Sequence, residues 1–218
     1  MNYYQEITLI NGDKSLYEIW SIVYTQLHIA LADLKNHHAI NSIGVSFPNY
    51  KYEAKNNGKE FAMLGNKLRV FAPSKDDLDK FDLKIWLEKV NTDKSIRTKW
   101  QLLNSFDIND YIHIKGIKDV PTDKITGYVS VRRYRFKPIE VQAQTLADKL
   151  KVNFEEAMAT VAKRKPEMAL PYIQMRSQTS SSNYRLKVLQ QSCDKAKAGS
   201  FNVYGMNGMK NSATVPHW

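Results

Sequence analysis

His28 is the residue of this 218-residue chain whose type and position best suit chemistry. Projection of residues 15–35 as a helix at about 100° per residue gathers the apolar side chains into one stripe. These side chains are Leu16, Ile19, Trp20, Val23, Leu27, Ala30, Leu31 and Leu34. His28 falls on the flank of the stripe beside Tyr24 and Tyr17. A titratable group at such a rim is held rigidly yet reaches solvent or substrate, although a single helical His is more often a surface or satisfied core residue.

The net charge of +10 is distributed unevenly along the chain. Residues 1–125 carry 17 Lys and Arg against 16 Asp and Glu, whereas residues 126–218 carry 15 against 6. A one-sided positive charge is typical of proteins that bind a polyanion, most often nucleic acid. The alternative is a solvated basic surface without a polyanionic partner.

Cysteine usage and hydropathy bear on the compartment. Cys193 is the one cysteine, so we expect no disulfide framework and a reducing cytoplasm. The N-terminus does not have the pattern of a signal peptide, and no apolar run approaches the roughly 18 residues of a membrane span. The five histidines form no Cys/His cluster, and His37 and His38 adjoin in a polar segment, so we expect neither a metal site nor membrane association.

Other catalytic signatures are missing from the sequence. There is no Gly-x-x-x-x-Gly-Lys phosphate loop and no paired-carboxylate motif. Ser42 and Ser46 lack the Gly-x-Ser-x-Gly context of an esterase nucleophile. The chain also lacks the aromatic-rich strand of an RNA-recognition motif.

Periodicity and turn residues predict a ferredoxin-like domain, βαββαβ, over residues 1–125. The predicted strands are 3–10, 43–47, 68–72 and 111–117, and the predicted helices are 15–35 and 74–89. Ser74 with Asp77 has the spacing of a capping box. Residues 49–66 are expected to form a polar loop, and residues 91–110 an insertion available for a partner contact. This α+β fold hosts many functions and decides none.

Residues 126–218 are predicted to form a second, basic α/β domain that binds RNA with a helix in a groove. Alternation along a strand at 128–136 places Arg133, Arg135 and Lys137 on one face, opposite Tyr134 and Phe136. Arg can pair bidentately with the acceptor edge of guanine, whereas Lys and Gln contact phosphates and bases.

Helices and short strands complete the predicted second domain. Pro138 is placed as the first residue of a helix that ends near Lys151, and Asn153 with Glu156 caps another helix. The first of these helices carries Gln142, Gln144, Lys149 and Lys151. Further strands are expected at 173–175, 184–189 and 201–204.

Seven short strings stand out along the chain: Leu27-His28, Ile43-Gly44-Val45-Ser46-Phe47-Pro48, Trp86-Leu87-Glu88, Met175-Arg176-Ser177-Gln178, Tyr184-Arg185-Leu186, Val203-Tyr204-Gly205 and Val215-Pro216-His217-Trp218. In type and order they resemble the subtype I-F CRISPR repeat-processing endoribonuclease family. The similarity extends over most of the chain. The chain departs from the family in three places: the helix 138–151 contains no Arg, Arg135 stands where Gln is familiar, and the 91–110 segment is longer.

The resemblance implies a cofactor-free and metal-independent RNase that cuts at the 3′ base of a repeat hairpin. The 2′-hydroxyl upstream of the scissile phosphate attacks in line and leaves a 2′,3′-cyclic phosphate and a 5′-hydroxyl. His28 matches the catalytic His, Ser177 the residue that constrains the ribose, and Tyr204 the residue that orients the imidazole. From the residues alone, Ser177 also fits a turn and Tyr204 also fits core packing.

The same resemblance implies an RNA-binding surface. Arg133 and Arg135 match a pair that contacts bases in the major groove near the foot of the stem. Tyr184 matches an aromatic residue that stacks below the terminal base pair, although a buried strand position also fits it. The remaining residues expected to bind RNA are Lys137, Gln142, Lys149, Lys151, Arg176, Gln178 and Thr179.

The implied partners are the crRNA repeat stem-loop, which stays bound after cleavage, and other subunits of a type I-F surveillance complex in a prokaryotic cytoplasm. The chain alone is expected to be a monomer. One alternative is a catalytically weak hairpin-binding subunit of an interference or transposon-associated complex. A structural ribonucleoprotein domain without repeat specificity is another.

Overall fold

The computed structural model describes residues 1–54, 60–92, 107–163, 168–177, 182–208 and 211–218. Its strands are β1 Tyr3–Leu9, β2 Gly44–Ser46, β3 Lys51–Ala54, β4 Glu60–Met63, β5 Lys67–Ala72, β6 Ile112–Ile114, β7 Lys118–Asp119, β8 Gly127–Tyr134, β9 Tyr172–Arg176, β10 Asn183–Cys193 and β11 Val215–His217. Its α-helices are α1 Leu16–His38, α2 Lys75–Phe81, α3 Leu83–Thr92, α4 Ile139–Leu150 and α5 Phe154–Ala162.

The first sheet has the strand order β2-β5-β1-β6, with β7 also pairing with β1. The pairs are antiparallel, and Ile7 in the central strand is opposite Leu68 on one side and Ile114 on the other. Helix α1 connects the first strand to the second, and α2 and α3 connect the third main strand to the fourth. The predicted ferredoxin-like βαββαβ fold is confirmed.

Helix α1 begins and ends at well-formed caps. Ser15 and Glu18 form a reciprocal capping box, and Ala39 closes the last turn in the left-handed conformation. The apolar stripe is buried as predicted, apart from the partly buried Leu16. Burial extends beyond the stripe, however, because Tyr24 is completely buried and Gln26 nearly so.

Two segments of the first half differ from the prediction. The expected loop at 49–66 contains the β3–β4 hairpin, whose side chains are mostly exposed and therefore give no alternation of apolar and polar residues. The expected helix at 74–89 breaks at Asp82, which has a φ of 33° and whose side chain caps α3. Ser74 caps α2, but the carboxylate of Asp77 accepts from Ser42 and does not complete a capping box.

Strand and helix ends differ elsewhere. The predicted strand at 111–117 is divided into β6 and β7, and β8 ends at Tyr134, so that Arg135 and Lys137 lie beyond the strand. Pro138 is the N-cap of α4 rather than its first residue. The predicted strand at 201–204 is absent, because residues 203–204 form a turn, and β11 was not predicted. Most of the 91–110 segment lies outside the described residues.

A second sheet has the order β11-β8-β10-β9 and shares one apolar core with the first. Gly44 allows this packing, because a Cβ there would lie 2.6 Å from Cζ of Phe201 and 2.8 Å from Cγ1 of Val215. Residues Met1–Arg133 and Leu170–Trp218 accordingly form one compact unit, and Tyr134–Ala169 forms another. The predicted domain boundary between residues 125 and 126 therefore does not coincide with a boundary between these units.

The unit Tyr134–Ala169 is a helical hairpin with its own small core. Ala143 and Ala147 of α4 are buried with Ala157 and Val161 of α5. Asn153 caps α5 as predicted, through bonds from the backbone N–H groups of Glu155 and Glu156.

Glu6 is a buried carboxylate in β1, near the centre of the first sheet, and it pairs with cations from neighbouring segments. Its carboxylate accepts from Nε of Arg69 at 2.8 Å and from Nζ of Lys115 at 2.7 Å. Arg69 also donates to the Trp218 carbonyl and lies 3.8 Å from that ring centroid. Burial acts to raise the pKa of Glu6, but the bonds from Lys115 and Arg69 outweigh it, and the pKa lies below its ordinary value.

We expect Glu6→Gln to lower the free energy of unfolding by about 3–5 kcal/mol, because Arg69 is then left buried without its charge partner. The contribution of Glu6 should be lost in the wild type as pH falls through its folded pKa, because that pKa is depressed. Urea unfolding from neutral pH to pH 3 measures both effects. Glu88→Gln, which removes an exposed pair with Lys84, should change stability by at most about 1 kcal/mol. Equal losses in the two variants would contradict this account.

Candidate active site

Three consecutive carbonyl groups fix the loop 202–207 against the first half of the chain. The Val203 carbonyl lies 2.8 Å from Nδ1 of His28, and the Tyr204 carbonyl accepts from the Tyr24 hydroxyl at 2.8 Å. The Gly205 carbonyl accepts from the backbone N–H of Val45 at 2.9 Å. Because Tyr24 and His28 are one turn apart on α1, the helix aligns two of these acceptors and β2 aligns the third.

The loop has its own internal support. The side-chain oxygen of Asn202 accepts from the backbone N–H groups of Tyr204 and Met206. Gly205 has a φ of 67°, and a Cβ at this position would lie 2.6 Å from Cγ1 of Val45. A residue with a side chain would therefore be strained here and would displace the loop from β2.

The imidazole of His28 is held at both an edge and a face. A carbonyl accepts but cannot donate, so Nδ1 carries the proton and Nε2 of the neutral ring is an acceptor. The Tyr204 ring stacks on the imidazole with centroids 4.1 Å apart and an interplanar angle of 4°. The ring orientation and tautomer are thus set before any substrate arrives.

Electrostatics favours the neutral imidazole. Burial lowers the pKa of His28, the bond to the Val203 carbonyl acts to raise it, and the positive charge of Arg133 lowers it further. The net result is a pKa below the ordinary histidine value. A half-buried, neutral imidazole with a free acceptor nitrogen is suited to remove a proton near neutral pH.

An aromatic pair links this imidazole to Arg133. The hydroxyl groups of Tyr184 and Tyr204 are 2.9 Å apart. The guanidinium carbon of Arg133 lies 5.0 Å from the Tyr184 ring centroid and 5.6 Å from that of Tyr204. Both distances are within the range of a cation–π interaction. The structure therefore brings His28, Tyr204, Tyr184 and Arg133 together.

Ser177 lies at the end of β9, along which α1 packs. The Ser21 hydroxyl donates to the Gln174 carbonyl, and one turn further Thr25 contacts Sδ of Met175. The backbone N–H of Ser177 donates to the Ser182 carbonyl at 2.9 Å. Arg176 is exposed beside it, whereas Gln178 and Thr179 lie outside the described residues.

The other residues expected to bind RNA lie on or before the helical hairpin. Arg135, Lys137, Lys149 and Lys151 are exposed there. The side-chain amide of Gln142 donates to the Lys137 carbonyl at 2.7 Å and so helps to hold the start of α4. Their role in binding stays a prediction.

Sequence patterns missed the residues that hold the catalytic candidates. Tyr24 was placed only on the flank of the stripe, although its hydroxyl is what anchors the Tyr204 carbonyl. Asn202 precedes Val203 and Tyr204, and an Asn before a Gly-containing segment is a turn signal that could have been recognised. The Val203 carbonyl has no signature in sequence.

Two absences concern only the part of the chain that the structure describes. Within it, no three or more His, Cys, Asp or Glu side chains are grouped to hold a metal ion. No helix in these same ranges is long and apolar enough to cross a membrane.

Comparisons with known proteins identify the family. Among solved structures, "CRISPR associated protein Cas6" is 13% identical with a TM-score of 0.31, covering 99% of this chain and 98% of that one. "An RAMP protein binding different RNA substrates" is 13% identical with a TM-score of 0.30, covering 98% and 95%. "Characterization of a Cas6-related gene from Pyrococcus furiosus" is 12% identical with a TM-score of 0.30, covering 99% and 98%. TM-scores this low carry no weight for the assignment.

No curated protein matches the sequence. The family model "CRISPR-associated protein (Cas_Csy4)" matches residues 4–218, nearly the whole chain. The chain therefore belongs to the Cas_Csy4 family, the subtype I-F endoribonucleases that process CRISPR RNA.

Proposed function

We propose that this protein binds the repeat hairpin of CRISPR precursor RNA and cleaves it, without a metal, at the 3′ base of the stem. The 2′-oxygen upstream of the scissile phosphate forms a bond to phosphorus, and the bond to the 5′-oxygen of the next nucleotide breaks. The leaving 5′-oxygen takes up a proton from water, so the products are a 2′,3′-cyclic phosphate and a 5′-hydroxyl. His28 accepts the proton of the attacking hydroxyl, and the enzyme stays bound to the mature crRNA.

The observation that carries the proposal is the fixed, neutral imidazole. Its Nδ1 is bonded to the Val203 carbonyl and its face is covered by Tyr204, which leaves Nε2 as the acceptor. An internal nucleophile needs positioning more than activation, and good orientation can lower a barrier by roughly 7–11 kcal/mol. A correctly placed base then adds about 10²–10⁴-fold.

The proposal assigns roles to further residues. Ser177, at the β9 end, constrains the ribose that carries the attacking hydroxyl. Arg133 reads a base at the foot of the stem, and Tyr184 stacks below the terminal base pair. Arg135, Lys137, Lys149 and Lys151 contact the phosphates of the stem, which fix register without reading sequence.

Two alternative functions predict different experimental results. A catalytically weak subunit that only holds the hairpin predicts tight binding without cleavage when the cognate repeat is incubated in chelator. A ribonucleoprotein domain without repeat specificity predicts equal affinity for unrelated hairpins. In a complex, other type I-F subunits are the proposed protein partners.

The chemistry is tested with a repeat RNA that carries one 2′-deoxy nucleotide upstream of the scissile phosphate. In chelator the wild type should cut the all-ribose RNA to a cyclic phosphate and should not cut the deoxy RNA, because the nucleophile is gone. His28→Ala should abolish cleavage while its affinity stays within a few-fold of the wild type, since the stem contacts lie elsewhere. Metal-dependent cleavage of the deoxy RNA would mean that water is the nucleophile and would remove His28, Ser177 and Tyr204 from their roles.

The titration of His28 in the free protein provides a second test, by NMR of the imidazole C–H signals. We expect a midpoint below about 6.5 and a rise on Arg133→Gln, because a nearby positive charge is removed. Arg132→Gln is the matched control: Arg132 is exposed and bonds to Gln191, so this variant should leave the midpoint unchanged. An unchanged midpoint in Arg133→Gln would show that Arg133 does not act on the imidazole.

Recognition is tested by comparing two kinds of basic residue. Arg133→Ala should weaken binding of the cognate hairpin by about 1–3 kcal/mol and relax the base preference at the foot of the stem. Combined replacement of Lys149 and Lys151 by Ala should flatten the salt dependence and leave sequence preference unchanged. Titrations with stem-foot variants at several salt concentrations measure both. Unaltered affinity and preference in Arg133→Ala would show that this residue does not face the RNA.

A further inference from the structure

The outer face of the β9–β10 pair carries a row of three cations, of which only Arg176 is among the residues expected to bind RNA. Ile173, Met175, Leu186 and Val188 are buried, so the alternating residues of both strands point to the other face. These residues pair as Arg176 with Asn183, Gln174 with Arg185, and Tyr172 with Lys187. We call these six residues the basic ladder; neither strand contains an acidic residue.

Aromatic rings lie among these cations. The guanidinium carbon of Arg185 is 4.7 Å from the Tyr172 ring centroid. The Tyr17 and Tyr172 rings pack edge to face, with centroids 5.4 Å apart. The Tyr17 hydroxyl donates to Oε1 of Gln174 at 3.2 Å. Tyr17 is 42% exposed, and Arg176 and Arg185 are also exposed. An exposed ring and a partly buried ring beside the guanidinium groups of Arg176 and Arg185 form a surface for unpaired bases and their phosphates.

The ladder starts at the proposed reaction site. Arg176 directly precedes Ser177, and the side-chain amide of Gln174 donates to the Tyr184 carbonyl at 3.4 Å. The three pairs of the ladder follow one another along β9 away from Ser177. They lie on the face of the sheet opposite to Met175 and its partner Tyr184. An RNA strand that leaves the Ser177 end of the sheet therefore meets Arg176 first, then Arg185, then Lys187.

We propose that the basic ladder binds the single-stranded RNA that continues past the cleavage site. The inference rests on the proposed function, since it takes Ser177 to mark the scissile phosphate. Stem contacts hold the hairpin, whereas the ladder holds the downstream strand through phosphate pairing and stacking on Tyr172 and Tyr17. Cleavage separates the downstream RNA from the hairpin. The ladder therefore adds to the affinity for precursor RNA and not to the affinity for mature crRNA.

The test uses the cleavage-inactive His28→Ala protein and three RNAs with a 2′-deoxy cleavage site: the hairpin alone, with a 3′ flank, and with a 5′ flank. In this background, Arg185→Ala with Lys187→Ala should weaken binding of the 3′-flanked RNA about tenfold. The slope of log K against log salt should fall by about 0.7 for each cation removed. Binding of the hairpin alone should be unchanged.

Lys75→Ala with Lys118→Ala is the matched control, because it removes the same charge from exposed positions off the ladder and should leave all three affinities unchanged. Equal weakening for all three RNAs, or a loss confined to the 5′-flanked RNA, would overturn the proposal. Unchanged affinity for every RNA would also overturn it and would favour an acidic protein surface as the partner. If the hairpin alone fails to bind the parent His28→Ala protein, the proposed function itself fails.

Discussion

The alignment of three successive carbonyl groups with α1 and β2 is the constraint on which the site depends. Val203, Tyr204 and Gly205 accept from a histidine, a tyrosine and a backbone amide that the ferredoxin-like half has already placed. One short loop thereby sets the tautomer of the imidazole, the stacking ring and the distance to β2. Ordinary packing holds α1 and β2 in place, and the loop then fixes the orientation of the imidazole relative to them.

The positive charge of the protein and the state of His28 are connected. A surface that attracts RNA opposes the protonation of a nearby imidazole, and burial acts in the same direction. Under the proposed function Arg133 takes part in both effects, because it lies over the tyrosine pair and its positive charge lowers the pKa of His28. Binding and base strength therefore cannot be adjusted independently at this position.

Sequence periodicity predicts those helices and strands that have one buried apolar face. The stripe of α1 and the βαββαβ order follow from it, whereas the β3–β4 hairpin does not, because exposed strands lack an apolar alternation. Phe201, Val203 and Tyr204 resemble a strand in sequence, yet the Asn202 side chain turns the chain there. The resemblance predicts a catalytic role for His28, but the carbonyl that orients its ring is a backbone group with no residue type of its own.

The distance along the chain between these partners affects how the protein is made. His28 and Val203 are 175 residues apart, so the imidazole has no partner for Nδ1 until the loop has been synthesised. At the usual speed of translation this interval is roughly 9–35 s. A growing chain that already displays α1 therefore lacks the fixed imidazole throughout that time. The nascent protein therefore carries His28 without the carbonyl that orients it until the last part of the chain has been made.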